Sequence, residues 1–502
     1  MSERLNKLKL NTLLGVIYQV TLVLVNFILP RFFLKYYGSN VNGLINSITQ
    51  FLSFINIADM GIGAVVSSAL YKPLSENDDK KISSIVAYAR KFFKIIGFIL
   101  LVYIAILTVV YPLIVKNSFS ILFTITLLWA MSISQFGQYF IGITYQLLLN
   151  ADQRSYVQLF INTITIILNV IAAIFIMVYG GSVQLVKLVT SLIFLARPLY
   201  MYLYVKKRYN IDYGAKADPN AVPQKKSGVI QHIAYMVYQN TDVVVLTLFS
   251  TLSSVSIYSV YVLVNNGLKS FATALTNGFL AMFGNMIAKG EQKKLNASFD
   301  MYDWMIHTIC SFMYTLSGVL IVPFILTYTR GITDANYNVP IFALIITIAY
   351  ACNTVREGMF VIIKAAGHYK QTQKASLMEA FLNLSTSIAF VFKFGLVGVA
   401  IGTLVATLFF GIYEMHYLTK HILYRKPMKF IKQIMIDLLS SLVIIICTCW
   451  IHITTYTYMF WFSRAFIAAA ISAVAVIVIN LFFYRNNLRT IFRLMHKRIE
   501  RG

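Results

Sequence analysis

Six ionisable side chains lie well inside long apolar stretches of this sequence: Asp59, Arg197, Asp242, Lys269, Arg356 and Glu357. A charge at the centre of a lipid-facing helix costs about 3 kcal/mol. Six of them would match or exceed the net stability of a whole domain, about 5–15 kcal/mol. They must therefore face water or one another. Lys269 is the leading substrate contact, because Tyr258, Tyr261, Asn265 and Asn266 accompany it at roughly helical spacing on one broad polar face. A compact cation suits a diphosphate; amides and aromatic rings suit sugars. The alternative is an internal ion pair with Asp242 or Asp59.

Arg356 and Glu357 are adjacent, so they point to different faces of a helix and each needs a partner elsewhere. Arg356 meets a phosphate and Glu357 carries a coupling proton, or both belong to a purely structural network. His232, Tyr235, Gln239 and Asp242 recur every three or four residues. They form one stripe that either lines a cavity or glues helices together. Pro30 frees a backbone carbonyl and bends its helix. Arg31 beside it either guides an anionic head group or anchors the helix at the interface. Arg197 lies near the end of its stretch, where a long side chain snorkels. The predicted substrate-lining set is Arg31, Asn42, Asp59, Gln239, Asp242, Tyr261, Asn265, Lys269 and Arg356. Asp59, Asp242 and Glu357 are the candidates for ion coupling.

Other chemistries are not supported. Cys447, Cys449 and His452 resemble a metal motif, but a two-residue spacing splays two thiols around a helix, so small-residue packing is the better reading. His307 and His416 read as packed or interfacial. The four cysteines (310, 352, 447, 449) all fall in apolar segments and give no disulfide framework. No Gly-Lys dipeptide occurs, so no phosphate-binding loop for a nucleotide is present. No cofactor and no metal are called for, and the chain does not read as an enzyme. A membrane glycan polymerase or ligase would carry a large polar outer loop, and none is present.

The elements that must hold these residues are membrane helices. The chain has 502 residues, is 58% hydrophobic and only 12% charged, with mean hydropathy +0.71. Apolar runs near 20 residues match the roughly 30 Å hydrocarbon core. Fourteen spans are predicted: 10–34, 41–70, 92–115, 120–149, 157–179, 183–205, 229–250, 255–287, 304–328, 340–363, 375–392, 396–418, 433–453 and 461–484. The first follows Arg4, Lys7 and Lys9 but is too long for a signal core and lacks a small-residue cleavage site, so it reads as retained. The net charge of +25 sits in the loops, which argues against nucleic acid. With the N-terminus in the cytoplasm, only seven of the 43 basic residues fall on the outer side: Arg31, Lys35, Lys116, Lys187, Arg330, Lys393 and Arg464. Both termini are then cytoplasmic by the positive-inside rule.

Three matches relate two halves. Asn42-Gly43-Leu44 pairs with Asn266-Gly267-Leu268, Gly142…Arg154 with Gly358…Lys370, and Asn169…Gly181 with Asn383…Gly395. Six spans per repeat make each half enter and leave on the same face, so the halves form parallel repeats about an axis along the membrane normal. The predicted fold is an all-α integral membrane protein with two six-helix lobes, 1–215 and 216–425, related by a pseudo-two-fold axis. Residues 426–502 add two transmembrane helices and a basic cytoplasmic tail.

The sequence resembles the polysaccharide or oligosaccharide flippases (Wzx-like) of the MOP exporter superfamily over essentially its whole length. The carriers are Leu34-Lys35-Tyr36-Tyr37-Gly38 leading to Asn42-Gly43-Leu44, and Leu149-Asn150-Ala151-Asp152-Gln153-Arg154. Gly367-His368-Tyr369-Lys370-Gln371 and Gly395-Leu396-Val397-Gly398-Val399-Ala400 complete them. The resemblance implies a two-lobed transporter that turns an undecaprenyl-diphosphate-linked oligosaccharide from the inner to the outer leaflet by alternating access. It implies a bacterial plasma membrane, a place in cell-surface polysaccharide synthesis, and glycan polymerase and glycosyltransferases as partners. An ion-coupled drug or metabolite antiporter and a peptidoglycan-precursor flippase of the same superfamily are the alternatives.

Overall fold

A computed structural model describes residues 2–59, 62–115, 117–216, 229–274, 276 and 278–489. Its elements are α1 (Ser2–Ser53), α2 (Ile62–Glu76), α3 (Asp79–Val115), α4 (Ile121–Gly137), α5 (Ile143–Ala151), α6 (Ser155–Val178), α7 (Val183–Arg208) and α8 (Val229–Phe249). There follow α9 (Leu252–Ala274), α10 (Phe279–Ala288), α11 (Gln292–Tyr328), α12 (Pro340–Ala365), α13 (Tyr369–Phe394), α14 (Leu396–His421), α15 (Met428–Thr448) and α16 (Tyr458–Phe483). Among the described residues there is no strand. In lipid a helix satisfies every interior backbone group within itself, so apolar runs of this length settle as helices. Hydroxyls on these helices bond back to the preceding turn, as Thr108 does to the Ile104 carbonyl at 2.7 Å. Outward faces are apolar: Val109 is 67% exposed and Phe482 82%.

Among the described residues eleven helices are long and apolar enough to cross a bilayer, or twelve if α9 and α10, bent by 44°, count as one span. The boundaries depart from the fourteen predicted spans at five places. The first two spans merge into α1, which breaks only at Gly38, whose φ of 79° is open to glycine and strained for other residues. The second span is interrupted between α1 and α2 by a 3₁₀ turn over Phe54–Asp59, where Asn56 and Asp59 interrupt the apolar run. The eighth span, read as one long helix, is broken between α9 and α10 near Thr276 and Gly278. The third and ninth spans lengthen at their N-terminal ends, so that α3 and α11 are each 37 residues long.

The chain forms two compact units, Met1–Ser256 and Ile257–Gly502. In the first, α8 and the start of α9 are fastened to α1 by a polar ladder. Asn42 Nδ2 donates to Ser256 Oγ at 2.8 Å, and Ser47 and Thr247 share a 2.7 Å hydrogen bond that Tyr111 extends. Gln50 and Ser53 both donate to Asn240. Backbones approach closely here: a Cβ at Gly43 would stand 1.8 Å from the Leu252 carbonyl oxygen. In the second unit α13 and α14 pack through Gly398 and Gly402. A Cβ there would lie 2.3 Å from the Phe390 carbonyl oxygen and 2.8 Å from the Ser387 amide nitrogen, respectively. Small residues four apart let two membrane helices touch backbone to backbone. Gly402→Leu is therefore expected to destabilise the protein by about 3 kcal/mol or more, read as a lowered melting temperature in detergent, whereas Gly411→Leu, with open space around it, should leave it unchanged.

The chain breaks at Gly38 within α1 and again at Ser250–Thr251, between α8 and α9. Positive-φ corners at Asn77, Gln153 and Gly180 recur 213, 214 and 215 residues later at Gly290, Gly367 and Gly395. The Asn169 and Asn383 match falls in that register, and both side chains are buried. The Asn42 and Asn266 match does not: it is offset by 224, Asn42 is buried and Asn266 is exposed.

A candidate ion-paired site in the second unit

Four helices of the second unit bring charges together. Lys269 stands five residues before the end of α9. Its Nζ lies 2.7 Å from Glu357 Oε1 and donates to Asn353 Oδ1 at 2.9 Å. Asn353 and Glu357 are one turn apart on α12, so both reach the same ammonium. Lys269 and Glu357 keep 16% and 23% of their side chains exposed. Arg356 turns the other way. Its Nη2 is 3.6 Å from Glu379 Oε1 on α13, its Nη1 is 3.7 Å from Glu414 Oε1 on α14, and its guanidinium lies 4.8 Å from the Phe410 ring. Arg356 and Glu379 are each 5% exposed and Glu414 is fully buried.

The adjacent pair thus points to two faces, as its spacing requires. Lys269 takes Glu357 as its internal partner, where the sequence reading offered Asp242 or Asp59. Arg356 lies against two carboxylates that the sequence reading does not single out. The signal for them was present: Glu379 and Glu414 sit inside apolar runs, and the insertion cost that flags Lys269 applies equally to them. Lys364, two turns on from Glu357 along α12, adds a third cation whose charge acts on Glu357 and Glu414, so three cations face three carboxylates.

The other predicted lining residues scatter. Tyr261 is fully buried and donates to the Tyr337 carbonyl at 2.8 Å, and its ring meets Phe342 edge-on. Asn265 is fully buried and donates to the Tyr261 carbonyl. Asn42 belongs to the ladder on α1. On α8, Gln239 and Tyr235 are exposed while Asp242 is buried, so the stripe is not uniformly turned to one environment. Arg31 is half-buried behind Pro30. Asp59 ends the 3₁₀ turn, and its side chain lies outside the described residues. Arg197, read as snorkelling, donates to Thr165 Oγ1 at 2.7 Å and lies 4.0 Å from the Phe194 ring. Among the described residues no group of three His, Cys, Asp or Glu side chains is placed to hold a metal. A cleft of about 450 Å³ between the α11–α12 and α15–α16 turns, walled by Arg330, Asn336 and Thr454, shares none of the charged residues.

The segment Leu149–Arg154 makes a latch outside the spans. Lys7 on α1 pairs with Asp152 at 3.0 Å, and Arg154 and Tyr209 each reach its other oxygen at 2.5 Å. Burial pushes the Asp152 carboxyl up, but hydrogen bonds from Tyr209, Arg154 and Lys7 outweigh it and hold it below the usual carboxylate range. A depressed carboxylate stabilises above its unfolded value, about 4, and loses that contribution as pH falls through the folded value. Asp152→Asn is expected to remove about 1–3 kcal/mol locally, seen as faster amide exchange at the start of α1, and to flatten the acid limb of that exchange.

No family model matches the chain, and no curated protein matches it. Solved structures do. Lipid II flippase MurJ in an inward closed conformation aligns with a TM-score of 0.68 at 17% identity, over 95% of this chain and 100% of that one. An inward-facing multidrug resistance transporter of the MATE family, in the MOP superfamily, aligns at 0.56 and 12% identity, over 81% of this chain and 94% of that one. The Vibrio cholerae MATE transporter VcmN in its bent form aligns at 0.51 and 14% identity, over 86% and 97%. The chain therefore shares its overall fold with these structures.

Proposed function

We propose that this protein flips an undecaprenyl-diphosphate-linked oligosaccharide from the inner to the outer leaflet of a bacterial plasma membrane, by alternating access, for cell-surface polysaccharide synthesis. The observation that carries the reading is the extent of the shared fold. The alignment with a lipid II flippase takes in 95% of this chain, against 81–86% for the two MATE transporters described above. Lys269 supports it, as a cation that stays part-exposed to water and flexible enough to exchange Glu357 for a diphosphate. The register of corners supports a parallel repeat with lobes 1–215 and 216–425. Fourteen crossings follow when the helix after Gly38, continued through α2, and α8 are counted with the twelve.

The head group would travel in a hydrated path while its prenyl tail stays in lipid, so the protein lowers a transfer barrier and makes no bond. An anion leaving a negative cytoplasm gains about 2.3 kcal/mol per charge per 100 mV. Glu357, part-exposed beside Lys269, is the candidate for an added contribution from a coupled cation. Carboxylates placed inside the spans also favour a second reading, an ion-coupled antiporter. Depleting the protein in its host and extracting lipids separates the cases. Accumulation of diphosphate-linked oligosaccharide on the inner leaflet is the expected result. Accumulation of lipid II indicates a peptidoglycan-precursor flippase, and loss of drug tolerance with neither lipid indicates an antiporter.

A further inference from the structure

A second buried cluster lies outside that network, where α11 meets the helices that follow the repeat. His307 on α11 is 2% exposed. Its Nδ1 hydrogen-bonds Asp437 Oδ2 on α15. The other oxygen of Asp437 accepts from Ser311 Oγ at 2.9 Å and from Gln433 Nε2 at 3.3 Å. With donors converging on it, Asp437 is an acceptor, so the hydrogen of a neutral His307 sits on Nδ1. On the opposite edge of the ring, Nε2 lies 3.6 Å from Asp303 Oδ1, one turn earlier on α11. A neutral ring presents a lone pair there, and an ionised Asp303 presents another. Two buried acceptors face each other with no donor between them. One added proton, on Nε2 or on Asp303, resolves the conflict.

The surroundings hold the cluster but do not supply that donor. Asp300 of α11 binds Lys429 of α15 at 2.6 Å and also takes Arg425 from the α14–α15 turn. Tyr302 and Cys310 of α11, Cys352 of α12 and Tyr484 after α16 are the remaining titratable neighbours among the described residues; Tyr302 is turned to Thr276 and Tyr484 is spent on Gln433. The Trp304 indole donates to Asn480 on α16 at 2.6 Å, so α16 joins the same seam.

We propose that Asp303, His307 and Asp437 form a proton-binding site that fastens α15 and α16 to α11. With the proton bound, an imidazolium bridges two carboxylates. Releasing it to water removes the Nε2–H contact to Asp303 and the charge of the ring; the Nδ1–H bond to Asp437 stays but is no longer charge-assisted, so α15 loosens. The site concerns the helix pair appended to the repeat and is independent of which substrate is carried.

The test uses the full chain in lipid nanodiscs, across the roughly pH 5–8 range in which histidine titrates. Nitrogen-15 spectra, with the His307 signal assigned by its loss in His307→Gln, should show both ring nitrogens protonated at the acid end and one proton lost on raising the pH. Amide exchange in α15, corrected for its intrinsic pH dependence, should rise at least about tenfold over the same range, the weight of one charge-assisted hydrogen bond. Asp303→Asn offers Nε2 a permanent amide donor, and should remove the pH dependence of α15 exchange over this range. A His307 ring that stays neutral throughout beside an ionised Asp303 would overturn the proposal. So would identical α15 exchange in wild type and Asp303→Asn. If the variant does not fold, the wild-type ring titration alone decides.

Discussion

Arg356→Met should deplete the folded protein rather than slow its transport. The substitution leaves Glu379 and Glu414 buried without their shared cation, and stranding a buried charge costs about 3–5 kcal/mol. That is a large part of the stability any domain possesses. The expected result is a sharp fall in the amount of monodisperse protein recovered from membranes. Adding Glu379→Gln and Glu414→Gln to Arg356→Met should restore most of it, because neutral amides need no counter-ion. Full abundance of the single variant with export abolished would instead place Arg356 against the substrate, as its charge alone had indicated in the sequence.

Lys269→Ala should do the opposite. Both partners of the Lys269–Glu357 pair stay partly exposed, at 16% and 23%, so stability should change by less than at Arg356, by about 1 kcal/mol. Export should fall about 10- to 100-fold, the worth of one hydrogen bond from a charged donor to a phosphate, about 1.5–3 kcal/mol. Glu357→Gln frees the ammonium from its internal partner. It should keep head-group binding while removing any dependence of transport on an imposed cation gradient that runs through this carboxylate. Surface glycan per cell, normalised to protein level, is the measurement. Normal export by Lys269→Ala at normal abundance would remove Lys269 from the site.

The helices themselves were legible because lipid leaves the backbone one economical solution, and most predicted ends fall within a few residues of α6, α7, α12 and α16. The breaks were less so. Gly38 reads as a helix end only once its positive φ is known, and the eighth apolar run continues through Thr276 and Gly278 without a charge to mark the bend. The positions of Lys269 and Arg356 followed from cost alone. Their partners did not, because pairing depends on which helices pack together, and sequence spacing within one helix does not encode that. Glu379, Glu414 and Asp437 could have been flagged by the same cost argument; matching each to its cation required the fold. His307 shows the limit from the other side. A lone histidine in an apolar stretch most often packs, and only the structure sets it between two carboxylates on two helices.

The account rests on transfer of a lipid-linked anion, and reconstitution measures that directly. The purified protein would be placed in liposomes carrying an undecaprenyl-diphosphate oligosaccharide, with outer-leaflet sugar followed by a membrane-impermeant glycosidase. The predicted result is transfer with wild type, accelerated by a potential that is positive on the receiving side and largely lost in Lys269→Ala. Folded wild-type protein that moves no lipid-linked sugar, or moves it indifferently to that potential and to Lys269, would contradict it.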